Sequence, residues 1–279
     1  MEAGEMAAEQ RRRNRLTRDA WNAYEPHRRR VTQLIASSAH GRNDAKLCVL
    51  GAGNANDIAL SVLAGSFREI NLVDLDGEAL EAAARRLSPD VAARVRLHGD
   101  IDVARLAEPA AFADGPESNV AEEAAIAALS ASPRSSLPGP FDVVASTGLL
   151  TQLIEAVSTG WPAKDPRFLA AVAAVRRAHL RLLLDLLTPG GTAVLVVEIV
   201  SSDTFPALRA VADDALPQTI AALISQRNFF TGTNPAVLLA LLESGEFAGD
   251  VARVEVTPPW IWEFVERAYA VYALVISRR

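Results

Sequence analysis

The run Leu47-Cys48-Val49-Leu50, closed by Gly51-Ala52-Gly53, constrains the fold more than any other part of the chain. Four uninterrupted apolar residues ending at a glycine read as a strand buried on both faces, the texture of a parallel sheet rather than of a half-exposed antiparallel one. The glycines allow a tight turn and a close approach of backbone to a ligand. The helix-like stretch 57–63 then follows, and its N-terminus would face that ligand. In Leu72-Val73-Asp74-Leu75-Asp76, Asp74 lies 21 residues past Gly53. It ends the next apolar run, where a carboxylate accepts hydrogen bonds from ribose hydroxyls. Asp76 suits the cap of a helix starting near Gly77.

Further strands are expected at 69–73, 94–98, 141–145 and 192–199, with helices at 78–87 and 167–187 between them. Strands alternating with helices predict a parallel sheet covered on both faces. Before this region, Trp21, Tyr24, Val31, Leu34 and Ile35 recur at near-helical spacing, with Pro26 suited to a first turn and Gly41 to a helix end. A helical segment over 1–42, broken near Glu25, is therefore expected to precede a main domain over 43–279. An Ala/Glu-rich helical piece at 119–129 and the Pro-rich stretch after it read as an insertion over about 107–140. The segment Thr188-Pro189-Gly190-Gly191 should turn the chain from helix into strand. After a helical region at 205–243, the runs 251–256 and 269–276 should pair as an antiparallel hairpin, joined by Thr257 through Trp262.

Composition limits the partners. The 279-residue chain has a formal charge of −6, whereas binding to nucleic acid or an anionic membrane draws on surplus cations; neither partner is expected. The arginines at 11–13 and 28–30 read as a solvated helix face. A single cysteine, Cys48, allows no internal disulfide, and the charged N-terminus lacks the apolar core of a secretory signal, so a cytoplasmic setting is expected. No window reaches the roughly 18 to 20 apolar residues of a membrane span. Acids and histidines show no metal-ligand spacing, and no metal is expected. The oligomeric state is not readable.

At the strand ends the motifs form an ordered set: Gly51-Ala52-Gly53-Asn54-Ala55-Asn56-Asp57, then Asp74, then His98-Gly99-Asp100-Ile101, then Ser146-Thr147-Gly148, then Pro189-Gly190-Gly191, and finally the hairpin. This set, over about residues 46–277, resembles the class I S-adenosylmethionine-dependent methyltransferases, and the first loop is similar to that of functionally unassigned bacterial members. The resemblance implies a Rossmann-like, mostly parallel, seven-stranded sheet with an antiparallel last strand and an N-terminal helical lid. It also implies S-adenosyl-L-methionine as cofactor: Gly51 and Gly53 along the methionine part, Asp74 with Leu75 at the ribose, Asp100 and Ile101 at adenine, Ser146 beside the sulfonium. Val49 stands where the family usually has an acid, and Asn54, Asn56 and Asp57 offer polar groups from the loop instead, with Asp57 equally suited to cap a helix. A nicotinamide dehydrogenase shares the glycine turn and ribose acid, but Asn56 breaks its Gly-x-Gly-x-x-Gly pattern.

The implied activity is in-line methyl transfer to a small-molecule acceptor. Such a displacement needs alignment, exclusion of water and, for a protonated nucleophile, a base. His27 and Tyr24, in the helical prelude, are the catalytic candidates; His179 has helical spacing with core residues, His98 reads as structural, and His40 as exposed. Acceptor pockets in open α/β sheets lie over the carboxyl ends of the strands, which selects Thr151, Gln152, Trp161, Arg227, Phe230, Trp260 and Trp262. Two other readings stay open: another use of the cofactor, such as cyclisation or aminocarboxypropyl transfer, and non-catalytic cofactor binding.

Overall fold

The computed structural model describes residues 3–42, 44–103 and 137–279. The helical piece expected at 119–129 lies outside them, as does most of the insertion. In chain order the elements are α1 (Ala3–Thr17), α2 (Glu25–Ser37), β1 (Lys46–Leu50), α3 (Leu60–Leu63), β2 (Glu69–Val73), α4 (Gly77–Ala84), α5 (Pro89–Ala92), β3 (Val95–His98), β4 (Phe141–Thr147), α6 (Leu149–Gly160), α7 (Phe168–Asp185) and β5 (Leu187–Ser201). A 3-10 turn at Pro206–Ala210, then α8 (Leu216–Ser225), α9 (Pro235–Leu242), β6 (Val251–Val256), β7 (Trp260–Phe264) and β8 (Arg267–Arg278) complete it.

The strands form one mixed sheet in the order β3-β2-β1-β4-β5-β8-β6. Strands β1 to β5 pair in parallel, and β8 runs antiparallel to β5 and to β6. This is the expected Rossmann-like sheet with its reversed last strand, extended by an eighth strand. That addition is β7, read in the sequence as part of a loop: it pairs with the Arg267 half of β8 while β6 pairs with the other half. Its Trp260 and Trp262, two residues apart, share one face and are buried, consistent with the period of two along a strand.

Every residue of β1 after Lys46 is buried, as the unbroken apolar run requires. One core layer joins α6 and α7 to one sheet face; the other packs α2, α4 and β7 on the opposite face, with Val31, Ile35, Leu47, Leu72 and Trp262 among its members.

Three local expectations change. The helix expected at 57–63 begins only at Leu60, because Ala55 takes a left-handed backbone (φ 51) and the Ala59 N–H is captured by the Thr32 hydroxyl of α2. No helix N-terminus therefore follows the glycine turn directly; residues 51–59 are a loop. The turn expected at 188–191 is a bulge inside β5: Leu187 pairs with Phe141, and pairing resumes at Thr192 opposite Val143. The helical region 205–243 divides into the 3-10 turn, α8 and α9. Asp76 does cap α4, accepting from the Ala79 N–H at 3.2 Å. Among the described residues no helix is long and apolar enough to cross a membrane.

Candidate functional site

A cleft opens at the carboxyl ends of β1, β2 and β4. It is floored by Gly51 and Asp74, flanked by Leu75, Ile101 and Val103 on one side and by Leu149, Gln152 and Leu153 of α6 on the other. Glu9, Gln10 and Arg13 of α1 form a further wall. Its space is about 780 Å³, open mouth included.

Asp74 organises the floor. One carboxylate oxygen accepts from the Gly53 N–H and the other from the Asp76 N–H, both at 2.8 Å. Burial pushes its pKa up to about 6, against the pull of those backbone donors. Each oxygen keeps a lone pair for a further donor. Leu75, Ile101, Leu149 and Leu153 give the cleft apolar flanks, with Asp102 and Glu155 also in its lining.

Helix α1 is fastened to the glycine loop by side chains. Asn14 donates to Asp76 Oδ2 at 3.0 Å, Asn54 donates to the Asn14 carbonyl at 2.6 Å, and Asn56 donates to the Thr17 carbonyl at 2.6 Å. A Cβ on Gly53 would lie 2.9 Å from Asn14 Oδ1, so the contact needs a glycine there. Arg86 donates to the Asn54 carbonyl. Arg13 reaches Glu155 of α6 at 2.9 Å, across the cleft.

A second polar cluster lies beyond the cleft, on the α2 side of the sheet. Thr147 donates to Asp57 Oδ2 at 3.4 Å, and Thr151 donates to Glu198 Oε2 at 2.5 Å. Asp57 Oδ1 is covered, although 22% of the side chain is exposed. Burial, with Glu198 nearby, pushes Asp57 up to about 7, and burial likewise raises Glu198. His27 Nε2 stands 3.7 Å from Asp57 Oδ1, and His27 Nδ1 accepts from the Trp260 indole at 3.1 Å. Burial lowers His27 to about 3, so the ring is neutral and its contact with Asp57 is not an ion pair. Trp262 stacks on His27 at 4.4 Å and sits edge-to-face with Tyr24 at 5.2 Å.

The residues singled out in the sequence thus divide among several places. Gly51, Asp74, Leu75, Ile101 and Gln152 meet at the cleft. Asp100 flanks it with an 83% exposed side chain, 3.9 Å from Arg11. Gly53 lies beneath Asn14, and the Asn54 side chain is engaged by α1. Ser146 is buried and bonded to His179 Nε2 at 2.9 Å, on the sheet face away from Asp57. Asp57, Thr151, Tyr24, His27, Trp260 and Trp262 belong to the second cluster or pack against it. Phe230 joins its rim through Tyr269, 6.1 Å away. Trp161 is in the core beside α7, and Arg227 is exposed just past α8 with φ 59. His98 bonds Asn71 at 2.8 Å, and the exposed His40 reaches Thr192 at 3.3 Å. Among the described residues no group of three or more His, Cys, Asp or Glu could hold a metal ion.

Glu198 and Asn14 were not anticipated. Glu198 carried a signal, a lone acid inside Leu195-Val196-Val197-Glu198-Ile199-Val200; Asn14, in a charged helix, carried none.

No protein-family model matches the sequence, nor does any curated protein. Among solved structures the chain is similar to an O-methyltransferase family protein from Burkholderia thailandensis, with TM-score 0.50 and 15% identity over 99% of this chain and 61% of that one. It also matches a precorrin-6y C5,15-methyltransferase from Geobacter metallireducens, with TM-score 0.41 and 15% identity over 88% and 87%. A third match is an rRNA methylase from Streptococcus thermophilus, with TM-score 0.39 and 12% identity over 88% and 93%. The fold is the Rossmann-like fold of class I S-adenosylmethionine-dependent methyltransferases.

Proposed function

We propose that the chain is an S-adenosylmethionine-dependent methyltransferase acting on a small molecule. The observation that carries this reading is the cleft: a buried carboxylate at the end of β2, beside an apolar slot, on this fold. Residues 43–279 are its catalytic domain, and 1–42 the helical segment that covers it.

The residues present fit the cofactor. Asp74 has lone pairs for the ribose hydroxyls, Leu75, Ile101, Leu149 and Leu153 fit the faces of an adenine ring, and Gly51 lets the backbone approach. When bound, the cofactor supplies an electrophilic methyl group on a sulfonium. The protein's part is then to hold the ribose at Asp74, to exclude water with α1, and to align the acceptor nucleophile with that methyl. Thr147, which ends β4, bonds Asp57, and this supports reading the Asp57–Glu198 cluster as the acceptor end. His27 and Tyr24 belong to this end, His27 as a neutral ring supporting Asp57 and Trp262.

The test is product analysis. The chain is incubated with S-adenosylmethionine and pools of small-molecule acceptors. Methyl transfer yields S-adenosylhomocysteine with a product 14 Da heavier per methyl, whereas attack on the aminocarboxypropyl chain would release methylthioadenosine and overturn the reading.

A further inference from the structure

The Asp57–Glu198 cluster combines three properties. It holds two carboxyl groups on one sheet face with, among the described residues, no cation bonded to either: Asp57 contacts the Thr147 hydroxyl and a neutral His27, and Glu198 contacts the Thr151 hydroxyl. Arg28, whose charge favours ionised Asp57, has its guanidinium on the carbonyls of Trp21 and Asn56 and over the Trp21 ring at 3.5 Å.

Around these acids stand aromatic rings. Tyr24 and Trp262 are 5.2 Å apart, and Trp262 and Tyr269 5.7 Å. Ring faces attract ammonium groups, and most strongly where water is excluded. Three buried polar atoms of this cluster also lack a hydrogen-bond partner: Asp57 Oδ1, Tyr24 Oη and Trp262 Nε1. Tyr24 and Trp262 are 3% and 6% exposed. Buried polar groups are nearly always paired; of these three atoms Asp57 Oδ1 and Tyr24 Oη can accept from a cationic donor, whereas the Trp262 N–H can only donate. Thr151 and Tyr269, at its rim, are partly exposed.

We infer that this cluster binds the methyl acceptor and that the acceptor is a primary or secondary amine entering as its ammonium ion. The inference rests on the methyl-transfer reading above and names its substrate class. An anionic acceptor would meet two carboxyls, whereas a cation beside them favours the ionised form that burial opposes. The ammonium donates to Asp57 Oδ1, with the unpartnered Tyr24 hydroxyl of the same cluster as a second acceptor. For the reaction its proton passes to the Asp57 carboxylate. The freed nitrogen lone pair forms the N–C bond to the methyl, the C–S bond breaks with its electron pair left on sulfur, and Asp57 returns the proton to solvent. The products are an N-methylammonium ion and a neutral thioether.

The test is calorimetric titration with phenethylammonium chloride and, separately, with 2-phenylethanol, each with and without S-adenosylhomocysteine. The wild-type chain is expected to bind the ammonium at least about tenfold more tightly than the alcohol, as ionic hydrogen bonds and ring–cation attraction require. Asp57→Asn and Glu198→Gln, checked for folding by thermal melting, should each lose about tenfold or more for the ammonium while binding S-adenosylmethionine within about threefold of wild type. Equal binding of the two probes, or no binding of the ammonium, overturns the inference. So does loss of S-adenosylmethionine binding in Asp57→Asn, which would assign the cluster to the cofactor's own ammonium group. Failure of the wild type to bind any adenosyl ligand would instead sink the methyl-transfer reading, and ammonium binding without cofactor would still report on the cluster.

Discussion

Asn14 Nδ2 donates to Asp76 Oδ2 at 3.0 Å and thereby ties the last turn of α1 to the cap of α4, two residues beyond Asp74. The bond is buried and spans 62 residues of sequence. With Asn54 and Asn56 holding the carbonyls of Asn14 and Thr17, it makes α1 a fixed wall of the cleft. Replacing Asn14 by Ala removes one partner of a buried pair, a loss of about 1–3 kcal/mol. Part of it should appear as an affinity for S-adenosylhomocysteine reduced by about tenfold. Calorimetry reads this directly, and unchanged affinity would detach α1 from the site.

Gly99, which follows β3, packs against the backbone of Gly77 at the start of α4. A Cβ on Gly99 would lie 2.7 Å from Gly77 Cα, and backbone cannot yield as a flexible side chain can. Gly99→Ala should destabilise the chain by about 1–3 kcal/mol, as overpacking does, with a matching fall in the urea midpoint. A midpoint equal to wild type would mean that the β3–α4 contact is looser than the backbone shows.

Trp260→Phe separates the architectural from the catalytic side of α2. It leaves His27 Nδ1 buried without its 3.1 Å donor, at a cost of about 1–3 kcal/mol. The melting temperature should fall while affinity for the adenosyl cofactor stays within about twofold, because Trp260 lies outside the cleft. A large loss of cofactor affinity at unchanged stability would contradict this division.

The Asp57 carboxyl gives a pH dependence whose sign follows from its raised pKa. The folded chain holds this proton more tightly than the unfolded one, so its contribution to stability is complete below pH 3.8 and lost as pH rises through about 7. His27 and His179 act oppositely: burial lowers them to about 3 and about 4, so their contribution is present above 6.5 and lost as pH falls through those values. Tyr24, Arg28 and Glu198 also face Asp57 and are retained in both proteins compared. Relative to wild type, Asp57→Asn should therefore gain stability between pH 4 and 7, by up to about 4 kcal/mol. Urea unfolding at pH 4.5, 6 and 7.5 measures the difference, and parallel profiles would show that Asp57 is not displaced.

Much of the sheet was legible because its strands are buried on both faces and bounded by glycine or acid. Leu47 to Leu50 and Ile70 to Val73 announce themselves by apolar continuity, and Asp74 by its position at a strand end. Strand β7 was hidden because its pairing with β8 is a long-range fact, while Pro258-Pro259 locally reads as a loop. The cleft's floor was readable, but its wall was not: Asn14 acts through one side-chain contact across 62 residues, which no local pattern encodes. His27 was singled out for its place in the helical prelude, and no local pattern shows its surroundings: the ring stacks on Trp262, accepts from Trp260 and is held neutral by burial.

The central claim, an adenosyl cofactor between Asp74, Leu75 and Leu149, is tested most directly by calorimetric titration of S-adenosylmethionine, S-adenosylhomocysteine and NADH. Wild type and Leu149→Trp are compared, the variant's indole filling the slot. The account predicts binding of both adenosyl ligands at about micromolar level to wild type, loss of both in the folded variant, and no heat from NADH. Binding of NADH alone, or adenosyl binding unaltered by Leu149→Trp, would contradict it.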